Sequence, residues 1–344
     1  MEPYYYSQLE KGQQRAYQLI KAGLTSLAEQ FEVPRMDGAE LSDLFYKVRL
    51  DCPEIFYAAT YQYSYFQDSN QVRLKPAYLF EKSKIKDHQK AMKSRVEKLT
   101  RPVMDKGDVE KEQYIHDFIC ENVKYDKLKK QYSHEIIGPL GQGVGVCEGI
   151  AKAVKILCDA LNLPCIVVIS ENNPEKKIKY RHAWNIVKIQ GKWYHLDATF
   201  DNTLGQGETR YDYFNLDDKS IFRDHEPIIY SVPACVEGDH FYYREKKLSF
   251  TKQEEVAKRC GQALKKGKVL VFHWRGGYLT KAVLNELLQI IAETAKEKNR
   301  HSKISLNWLQ AILQVSFPQE LAVDSVKMED AYAEENDSQG EKDA

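Results

Sequence analysis

The sequence predicts an α+β protein, and three observations carry this prediction. Helical spacing of apolar residues recurs along most of the 344 residues. Two pairs of β-prone runs are each joined by a short polar or glycine-containing turn, which is typical of antiparallel hairpins. Between the two pairs, a glycine-rich loop leads into a helix that begins at Cys147. The expected core is therefore a cysteine at a helix N-terminus, packed on an antiparallel sheet.

Changes in pattern divide the chain into four predicted regions. An N-terminal helical and β-hairpin region is expected over 1–105, the central core over 106–230, and a small α/β appendage over 231–321. Residues 322–344 are acidic and poor in apolar side chains, so they are predicted to be a disordered tail.

The first region is predicted to hold three helices and a hairpin. Helical spacing runs over 8–31 and 38–50, and the highly charged segment 83–104 is expected to form a solvated helix. The β-prone runs 55–66 and 72–80 form the hairpin, which is rich in tyrosine. A half-buried aromatic sheet is the ordinary explanation for these tyrosines, and a substrate-binding wall is the alternative.

The central core is predicted to contain two packed helices and a buried strand. Residues 108–123 have one apolar face that would brace the helix starting at Cys147. The apolar face of that second helix consists of Ile150, Ala151, Val154, Leu157, Cys158 and Leu161. The continuous apolar run 165–169 is typical of a buried strand. The polar segment 171–179 is expected to be a surface loop beside the cleft.

The position of Cys147 favours a reactive thiol. Gly141, Gly143 and Gly145 precede it in a loop where positive φ angles are expected. The unpaired N–H groups and the dipole of a helix N-terminus stabilise an anion, so they favour the thiolate form. Glu148 would oppose this effect if its carboxylate turned toward the sulfur, and the sequence leaves that direction open.

The second hairpin brings a histidine and an aspartate together. Its two runs are separated by two residues ending in glycine, so Ile189 is expected to pair with Lys192. Counting back along both strands makes His182 and Asp197 diagonal neighbours on one face, about 7–8 Å apart at the backbone. His195 is expected on the face opposite His182.

These residues form the set that acyl transfer requires. Cys147 supplies a nucleophile, His182 a base that takes the thiol proton, and Asp197 a carboxylate that orients the imidazole. Taken singly, each residue type is more commonly structural, because a buried cysteine packs as a small apolar side chain. Their combination with a helix N-terminus and a hairpin favours the catalytic interpretation.

Three segments also resemble a known family. They are Gly-Val-Cys-Glu-Gly-Ile-Ala-Lys-Ala at 145–153, His-Ala-Trp-Asn at 182–185 and Trp-Tyr-His-Leu-Asp-Ala-Thr-Phe-Asp at 193–201. These segments are similar to the transglutaminase-like superfamily of papain-type thiol enzymes, and most of all to its bacterial branch. The resemblance extends over about residues 107–225.

The resemblance implies a papain-like core in which Cys147 is the nucleophile, His182 the base and Asp197 the orienting acid. Val146 and Glu148 depart from the Gln-Cys-Trp sequence of animal transglutaminases, so the substrate preference and calcium dependence of those enzymes are not expected here. The sequence also lacks the Cys-x-x-Cys zinc pairs that are usual in the peptide N-glycanase branch.

Two further residues are candidates for contact with the substrate. The oxyanion would be bound by the backbone N–H of Cys147 and a second donor, for which Gln142 is the candidate. Trp184 is the candidate for a wall of the cleft. The ordinary alternatives are a solvated glutamine in the glycine loop and a tryptophan packed in the core.

The C-terminal appendage is predicted to alternate helices and strands. A capping box at Thr251-Lys252-Gln253-Glu254 would open a helix that runs to about Lys266. A strand over 268–274 and a long helix over 278–298 follow. The last apolar segment, 302–317, has no clear period.

Charge, hydropathy and cysteine spacing exclude several classes of protein. The 50 Lys and Arg residues balance the 50 Asp and Glu residues, so no overall field attracts nucleic acid or anionic lipid. The sequence has no recognisable leader or spanning segment, so a cytoplasmic location without a membrane partner is expected. Seven scattered cysteines form neither a disulfide framework nor a zinc pattern, which indicates reduced thiols.

No metal and no cofactor are predicted. The acidic residues within 200–230, among them Asp201 and Asp212, lack the EF-hand spacing and are expected in solvated loops. His182 and His195 would not share an ion from opposite sheet faces, and no His-Glu-x-x-His sequence occurs.

The sequence therefore predicts thiol-dependent acyl transfer at an amide of a protein or peptide. Water as the acceptor gives a cysteine peptidase or amidase, and an amine gives a protein-glutamine transglutaminase. No lysine-binding tunnel is recognisable, which favours hydrolysis. The competing class is a non-catalytic interaction module that keeps the fold, and the sequence leaves the oligomeric state open.

Overall fold

The structure is a computed structural model, and it describes residues 2–65, 67–205 and 208–319. It divides into two compact units, Met1–Glu237 and a second unit that begins at Gly238. The boundary predicted near residue 105 falls inside the first unit, and the boundary predicted near 230 lies just before Gly238. The predicted disordered tail, 322–344, lies outside the described residues.

The first unit mixes helices with two antiparallel sheets and one short parallel pair of strands, which confirms the α+β class. Its helices are α1 (Tyr4–Ser7), α2 (Lys11–Thr25), α3 (Gly38–Asp51), α4 (Lys82–Thr100), α5 (Asp108–Asn122), α6 (Cys147–Ala160), α7 (Ala198–Leu204) and α8 (Asp218–Ile221). Its strands are β1 (Phe31–Pro34), β2 (Ala58–Tyr65), β3 (Gln71–Tyr78), β4 (Lys124–Tyr125), β5 (Val144–Gly145), β6 (Cys165–Ile169), β7 (Ala183–Ile189), β8 (Lys192–Leu196) and β9 (Phe214–Leu216).

The helix predicted over 8–31 is shorter than expected. It ends at Thr25, and Leu27 takes a positive φ of 55° that a continuing helix does not allow. Phe31 instead begins β1, which pairs with β3 and extends the predicted hairpin to a sheet of order β1-β3-β2. Gly23 makes this possible, because a Cβ there would lie 2.3 Å from the Phe31 ring.

The charged helix α4 is less solvated than its composition suggests. Ile85, Met92, Val96 and Leu99 are buried along one face. That face packs on α6, so α4 supports the core despite its many lysines.

The core of the first unit is the arrangement that the sequence predicts. Helix α6 packs on β6 and β7, which belong to the antiparallel sheet β6-β7-β8-β9. All five residues of β6 are buried, in agreement with its continuous apolar sequence. Helix α5 packs against α6 and α7, so it braces the helix that carries Cys147.

The second unit has its own core between two helices and one sheet face. Its helices are α9 (Tyr242–Glu245), α10 (Gln253–Lys266) and α11 (Lys281–Lys296). Its strands are β10 (Ser249–Phe250), β11 (Leu270–Trp274), β12 (Lys303–Asn307) and β13 (Ile312–Ser316), in the order β10-β11-β13-β12. Residues of α10, α11, β10, β11 and β13 form the buried cluster.

Two expectations for this unit are refined by the structure. Helix α10 is preceded by Lys252, so Thr251 is not its N-cap; the Thr251 N–H instead bonds to Glu255 at 3.2 Å. The aperiodic segment 302–317 forms the hairpin of β12 and β13, whose connection contains Ala311 at a φ of 53°.

Within the ranges that the structure describes, no helix combines the length and the apolar character needed to cross a bilayer.

Candidate active site

The glycine loop determines where α6 begins. Gly143 has a φ of 66°, a left-handed conformation that suits glycine, and Val146 is the extended residue before the helix. Cys147 is therefore the first helical residue, as predicted. Gly149 is required for a second reason: a Cβ there would lie 2.1 Å from the Ser133 carbonyl oxygen, so only glycine lets this loop approach α6.

The hairpin has the register that the sequence predicts. Ile189 pairs with Lys192, and the two connecting residues, Gln190 and Gly191, have φ angles of 50° and 88°. Two positive φ angles are the mark of a type I′ turn, which matches the twist of the strands. His182 precedes β7 directly, and its N–H bonds to Ser170 Oγ at 3.0 Å.

His182 and Asp197 form a short hydrogen bond. The distance from His182 Nε2 to Asp197 Oδ2 is 2.6 Å, and the aspartate side chain is fully buried. The other oxygen of Asp197 accepts the backbone N–H groups of Thr199 and Phe200 at 2.8 and 3.1 Å, so the carboxylate also caps α7. Since Nε2 is occupied, Nδ1 is the His182 nitrogen available to the partly exposed Cys147 sulfur.

The electrostatics favour a charged imidazole beside a charged carboxylate. Burial alone would lower the pKa of His182, but the Asp197 carboxylate and the Cys147 sulfur raise it to about 10. Burial would raise the pKa of Asp197, but His182 and His225 hold it well below its usual range. The His182 contribution to stability is thus complete below pH ~6.5 and is lost as pH rises through about 10.

His225 is a part of the site that the sequence analysis missed. Its Nε2 lies 2.9 Å from Asp197 Oδ2, and its Nδ1 lies 2.7 Å from Asp224 Oδ1. Asp224 in turn accepts the Tyr213 hydroxyl at 2.7 Å. Both ring nitrogens of His225 face carboxylates, an arrangement that favours the doubly protonated imidazolium. Burial opposes this charge, but the two carboxylates raise the pKa of His225.

His195 lies on the same sheet face as His182, which corrects the expectation of opposite faces. In the observed register His195 pairs with Ile186, and opposed residues share a face. Trp184 Nε1 donates to His195 Nδ1 at 3.0 Å, and His195 Nε2 lies 2.8 Å from Asp218 Oδ1. Burial lowers the pKa of His195, in keeping with a neutral ring.

Trp184 lies beneath the imidazole of His182. Its side chain is only 1% exposed, and its ring stacks on that of His182 with centroids 5.8 Å apart at an angle of 18°. This contact restricts the orientation of the His182 imidazole. The predicted contact between Trp184 and a substrate stays a prediction.

Two clusters contain enough ligand atoms to be considered for a metal ion. They are His182, Asp197 and His225, and His195, Asp218 and Cys235. In the first, the nitrogen–oxygen distances of 2.6 and 2.9 Å are hydrogen bonds, whereas a tetrahedral zinc ion would hold its nitrogen and oxygen ligands about 3.3 Å apart.

The second cluster fits a metal ion no better. His195 Nδ1 accepts the Trp184 N–H, so the His195 proton is on Nε2, where it donates to Asp218. Protons therefore account for the short contacts of both clusters.

Glu148 turns toward basic side chains, which gives the direction that the sequence leaves open. Its Oε1 lies 2.7 Å from Lys152 Nζ, and that ammonium also bonds to Glu135 at 2.9 Å. Arg49 of α3 pairs with Glu135 and lies 3.9 Å from Glu148. Burial would raise the pKa of Glu148, but Lys152, His134 and Arg49 hold it well below its usual range. The carboxylate is thus neutralised by its neighbours.

Asp201 and Asp212 are buried, not solvated as expected. Asp201 accepts the Asp212 N–H at 2.7 Å and lies 3.0 Å from His116 Nε2, while Asp212 pairs with Arg210 at 2.6 Å. Acidic residues near α7 fold inward because backbone N–H groups and cations are available there, a pattern that local composition does not reveal.

Two further residues lie around the site, one that the sequence analysis selects and one that it does not. Gln142 is exposed at the end of the helical turn Ile137–Gln142, and its role as an oxyanion donor stays a prediction. Tyr46 of α3 lies near the thiol: burial raises its pKa, and the proximity of Glu148 and Cys147 raises it further. The N-terminal region therefore contributes to the surroundings of Cys147.

The part of the chain that holds these residues matches a known protein family. Residues 93–198 match the family model of the transglutaminase-like superfamily. This segment is a transglutaminase-like domain. The matched segment contains Cys147, His182 and Asp197, whereas His225 lies beyond it.

The transglutaminase-like domain has curated relatives at low identity. The chain is 24% identical over 176 residues to the kyphoscoliosis peptidase of Mus musculus, and 24% identical over 175 residues to that of Homo sapiens. Each alignment covers 47% of this chain and 25% of the relative, so the chain spans about a quarter of the length of these proteins.

Two solved structures are similar to the chain in part. A TGase crystal structure is 13% identical with a TM-score of 0.27, over 49% of this chain and 50% of the other. A structure from Cytophaga hutchinsonii, described as that of a candidate cysteine protease, is 16% identical with a TM-score of 0.25, over 41% and 62%.

Proposed function

We propose that the chain is a thiol-dependent acyl-transfer enzyme acting on an amide of a peptide or protein. The observation that carries this proposal is the 2.6 Å bond between His182 and the fully buried Asp197, beside a partly exposed cysteine at a helix N-terminus. The transglutaminase-like domain and its similarity to peptidases support the same class of chemistry.

The residues divide the reaction between them. The Cys147 sulfur attacks the amide carbonyl carbon, a sulfur–carbon bond forms, and the oxyanion is bound by the backbone N–H of Cys147 with Gln142 as the candidate second donor. His182, charged after taking the thiol proton, returns it to the nitrogen as the carbon–nitrogen bond breaks. Asp197 holds the ring in place and stabilises its positive charge.

Hydrolysis is the preferred fate of the acyl-enzyme. Transfer to an amine requires a site that admits the amine and excludes water. We expect that the protein, incubated with peptide mixtures and a labelled primary amine, releases cleaved peptides with little incorporation of label, as read by mass spectrometry. Efficient incorporation with little cleavage would instead assign a transglutaminase.

The thiol itself provides a test that needs no substrate. A limiting dose of iodoacetamide should modify Cys147 first among the seven cysteines, because His182 and the helix N-terminus favour its thiolate. Cys120 is the matched internal control: it is also partly exposed and lies 3.6 Å from His116 Nε2, but burial raises its pKa. Peptide mapping gives the order of labelling.

The same test separates an enzyme from a non-catalytic interaction module. His182→Ala should slow the labelling of Cys147, since the base and the positive partner are removed. If Cys147 reacts no faster than Cys120, and His182→Ala leaves its rate unchanged, the interaction module replaces the enzyme.

We also place the protein in a reducing compartment, with the cytoplasm as the proposed location. All seven cysteines are free thiols. Cys158 and Cys165 are adjacent in the buried core, where the interaction with Cys165 and burial together raise the pKa of Cys158. Thiols that remain unpaired at contact distance are typical of reducing surroundings.

A further inference from the structure

Two exposed loops flank the candidate active site. The first, residues 126–134, is tied to the residues before Cys147, because Asp126 N–H bonds to the Gly145 carbonyl and Val146 N–H to the Ser133 carbonyl, each at 3.0 Å. The second, residues 171–181, leads directly into His182. The loops meet where the Lys129 ammonium lies 4.0 Å from the centre of the Tyr180 ring. Through these contacts both loops lie next to the segments that carry Cys147 and His182.

Both loops present basic side chains to solvent. The exposed residues Lys127, Lys129, Lys130, Lys176, Lys177, Lys179 and Arg181 form a set that we call the basic rim. The acidic residues of the same segments are Asp126, Glu171 and Glu175, and Glu226 joins them by pairing with Lys176 at 2.6 Å. Seven basic side chains against four acidic ones leave a positive excess of three, in a chain whose total charge is zero.

Two of the four acidic residues, Asp126 and Glu226, are turned inward, whereas Glu171 and Glu175 are exposed. Asp126 accepts the N–H groups of Leu128 and Lys130, both at 3.0 Å, and it is buried. Glu226 is also buried, with 9% of its surface exposed, and it accepts a hydrogen bond from Asn173 Nδ2 at 2.9 Å. Lys176 pairs with Glu226, and the other lysines of the rim are exposed, so their charge faces solvent.

We propose that the basic rim selects peptide substrates that carry acidic residues beside the amide to be attacked. This inference rests on the proposed function. A cleft lined by one sign of charge concentrates its field and attracts ligands of the opposite sign. The attraction between exposed charges is screened by salt over about 10 Å at 0.1 M, so the selection should weaken as ionic strength rises.

Two alkylating reagents that differ in charge measure this field at the thiol. Iodoacetate and iodoacetamide react alike: a sulfur–carbon bond forms and iodide leaves. Relative to the same ratio for a free cysteine peptide, the ratio of iodoacetate to iodoacetamide rates at Cys147 should be raised by about tenfold at low salt. It should return toward the peptide value at 1 M salt.

Charge reversal on the rim is the decisive variant. Lys127→Glu, Lys130→Glu and Lys179→Glu together should lower the iodoacetate ratio about tenfold and leave the iodoacetamide rate unchanged, which also shows that the fold is intact. The control reverses three exposed lysines of α4, Lys84, Lys86 and Lys90, and should leave the ratio as it was. An unchanged ratio in the rim variant, with normal iodoacetamide labelling, overturns the inference and leaves the proposed function standing.

Binding to the Cys147→Ser protein identifies the partner class. Acidic peptides should bind at least tenfold more tightly than their amidated, uncharged counterparts, and the rim variant should lose this preference. An RNA oligonucleotide of matched charge should bind weakly. If the RNA binds as tightly as the acidic peptides and also depends on the rim, the surface binds polyanions in general and the inference is wrong.

Discussion

Asp197→Asn is expected to reduce amide hydrolysis by about 10⁴-fold, the effect of the same change in an orienting aspartate of a catalytic triad. The amide cannot supply the negative charge that stabilises the His182 imidazolium. Its oxygen still accepts the Thr199 and Phe200 N–H groups, so α7 should keep its cap. Loss of activity without loss of folding, measured by peptide turnover and circular dichroism, is therefore the expected result.

The pH dependence gives this variant a second readout. In the native protein the imidazolium of His182 persists until the pH rises through about 10, so the alkaline limb of activity should lie there. Without the Asp197 charge the pKa of His182 falls, and the limb should move to lower pH. Alkylation of Cys147 at pH 6 should also slow, because the His182 imidazolium beside the sulfur loses its negative partner.

His225→Gln is expected to have the same effect as Asp197→Asn to a smaller degree. The charged hydrogen bond that it removes from Asp197 is worth about 1.5–3 kcal/mol, so activity should fall about tenfold or more but less than in Asp197→Asn. His225 acts on Asp197 and not on substrate, so it is a positioning residue. If the Asp197→Asn protein were alkylated at pH 6 as fast as the native protein, the roles given to Asp197 and His225 would both be contradicted.

Lys152→Met is expected to destabilise the first unit by about 3–5 kcal/mol, because it leaves two carboxylates without their shared cation. Lys152 is fully buried, and its ammonium contacts Glu135, Glu148 and the His134 carbonyl oxygen at 2.9, 2.7 and 3.3 Å. Urea denaturation followed by fluorescence measures the change in free energy of unfolding. Alkylation of Cys147 should also slow, since Glu148 is released beside the thiol.

Lys155→Met is the matched control on the same helix. Lys155 is also buried, but it pairs with Asp159 at 2.8 Å, whose side chain is 34% exposed and can be solvated when the lysine is removed. Its loss should cost no more than about 1 kcal/mol. Adding Glu148→Gln to Lys152→Met should recover part of the lost stability, as coupled neighbours do in a double-mutant cycle. Equal losses in the free energy of unfolding for the two variants would show that the buried network around Lys152 adds no more stability than a partly exposed ion pair.

The sequence by itself determined the local geometry of the site. Glycines before Cys147 and apolar spacing after it required a helix that starts at the cysteine, because helix boundaries follow from neighbouring residues. The two-residue turn fixed the register of Ile189 with Lys192, and strand alternation then placed His182 and Asp197 on one face. The same register also places His195, opposite Ile186, on that face, so its position too follows from the sequence.

Only the tertiary structure decided what surrounds these residues. His225 reaches Asp197 from 28 residues away, and Arg49 and Tyr46 come to the site from α3 in the N-terminal region. Such contacts have no periodic or spacing pattern, because they join segments whose separation along the chain is arbitrary. The directions of the buried charges also depend on the tertiary structure. Glu148 turns toward Lys152, and Asp201 toward His116, because a buried charge without a partner costs free energy. The local sequence does not show which partner the fold brings near.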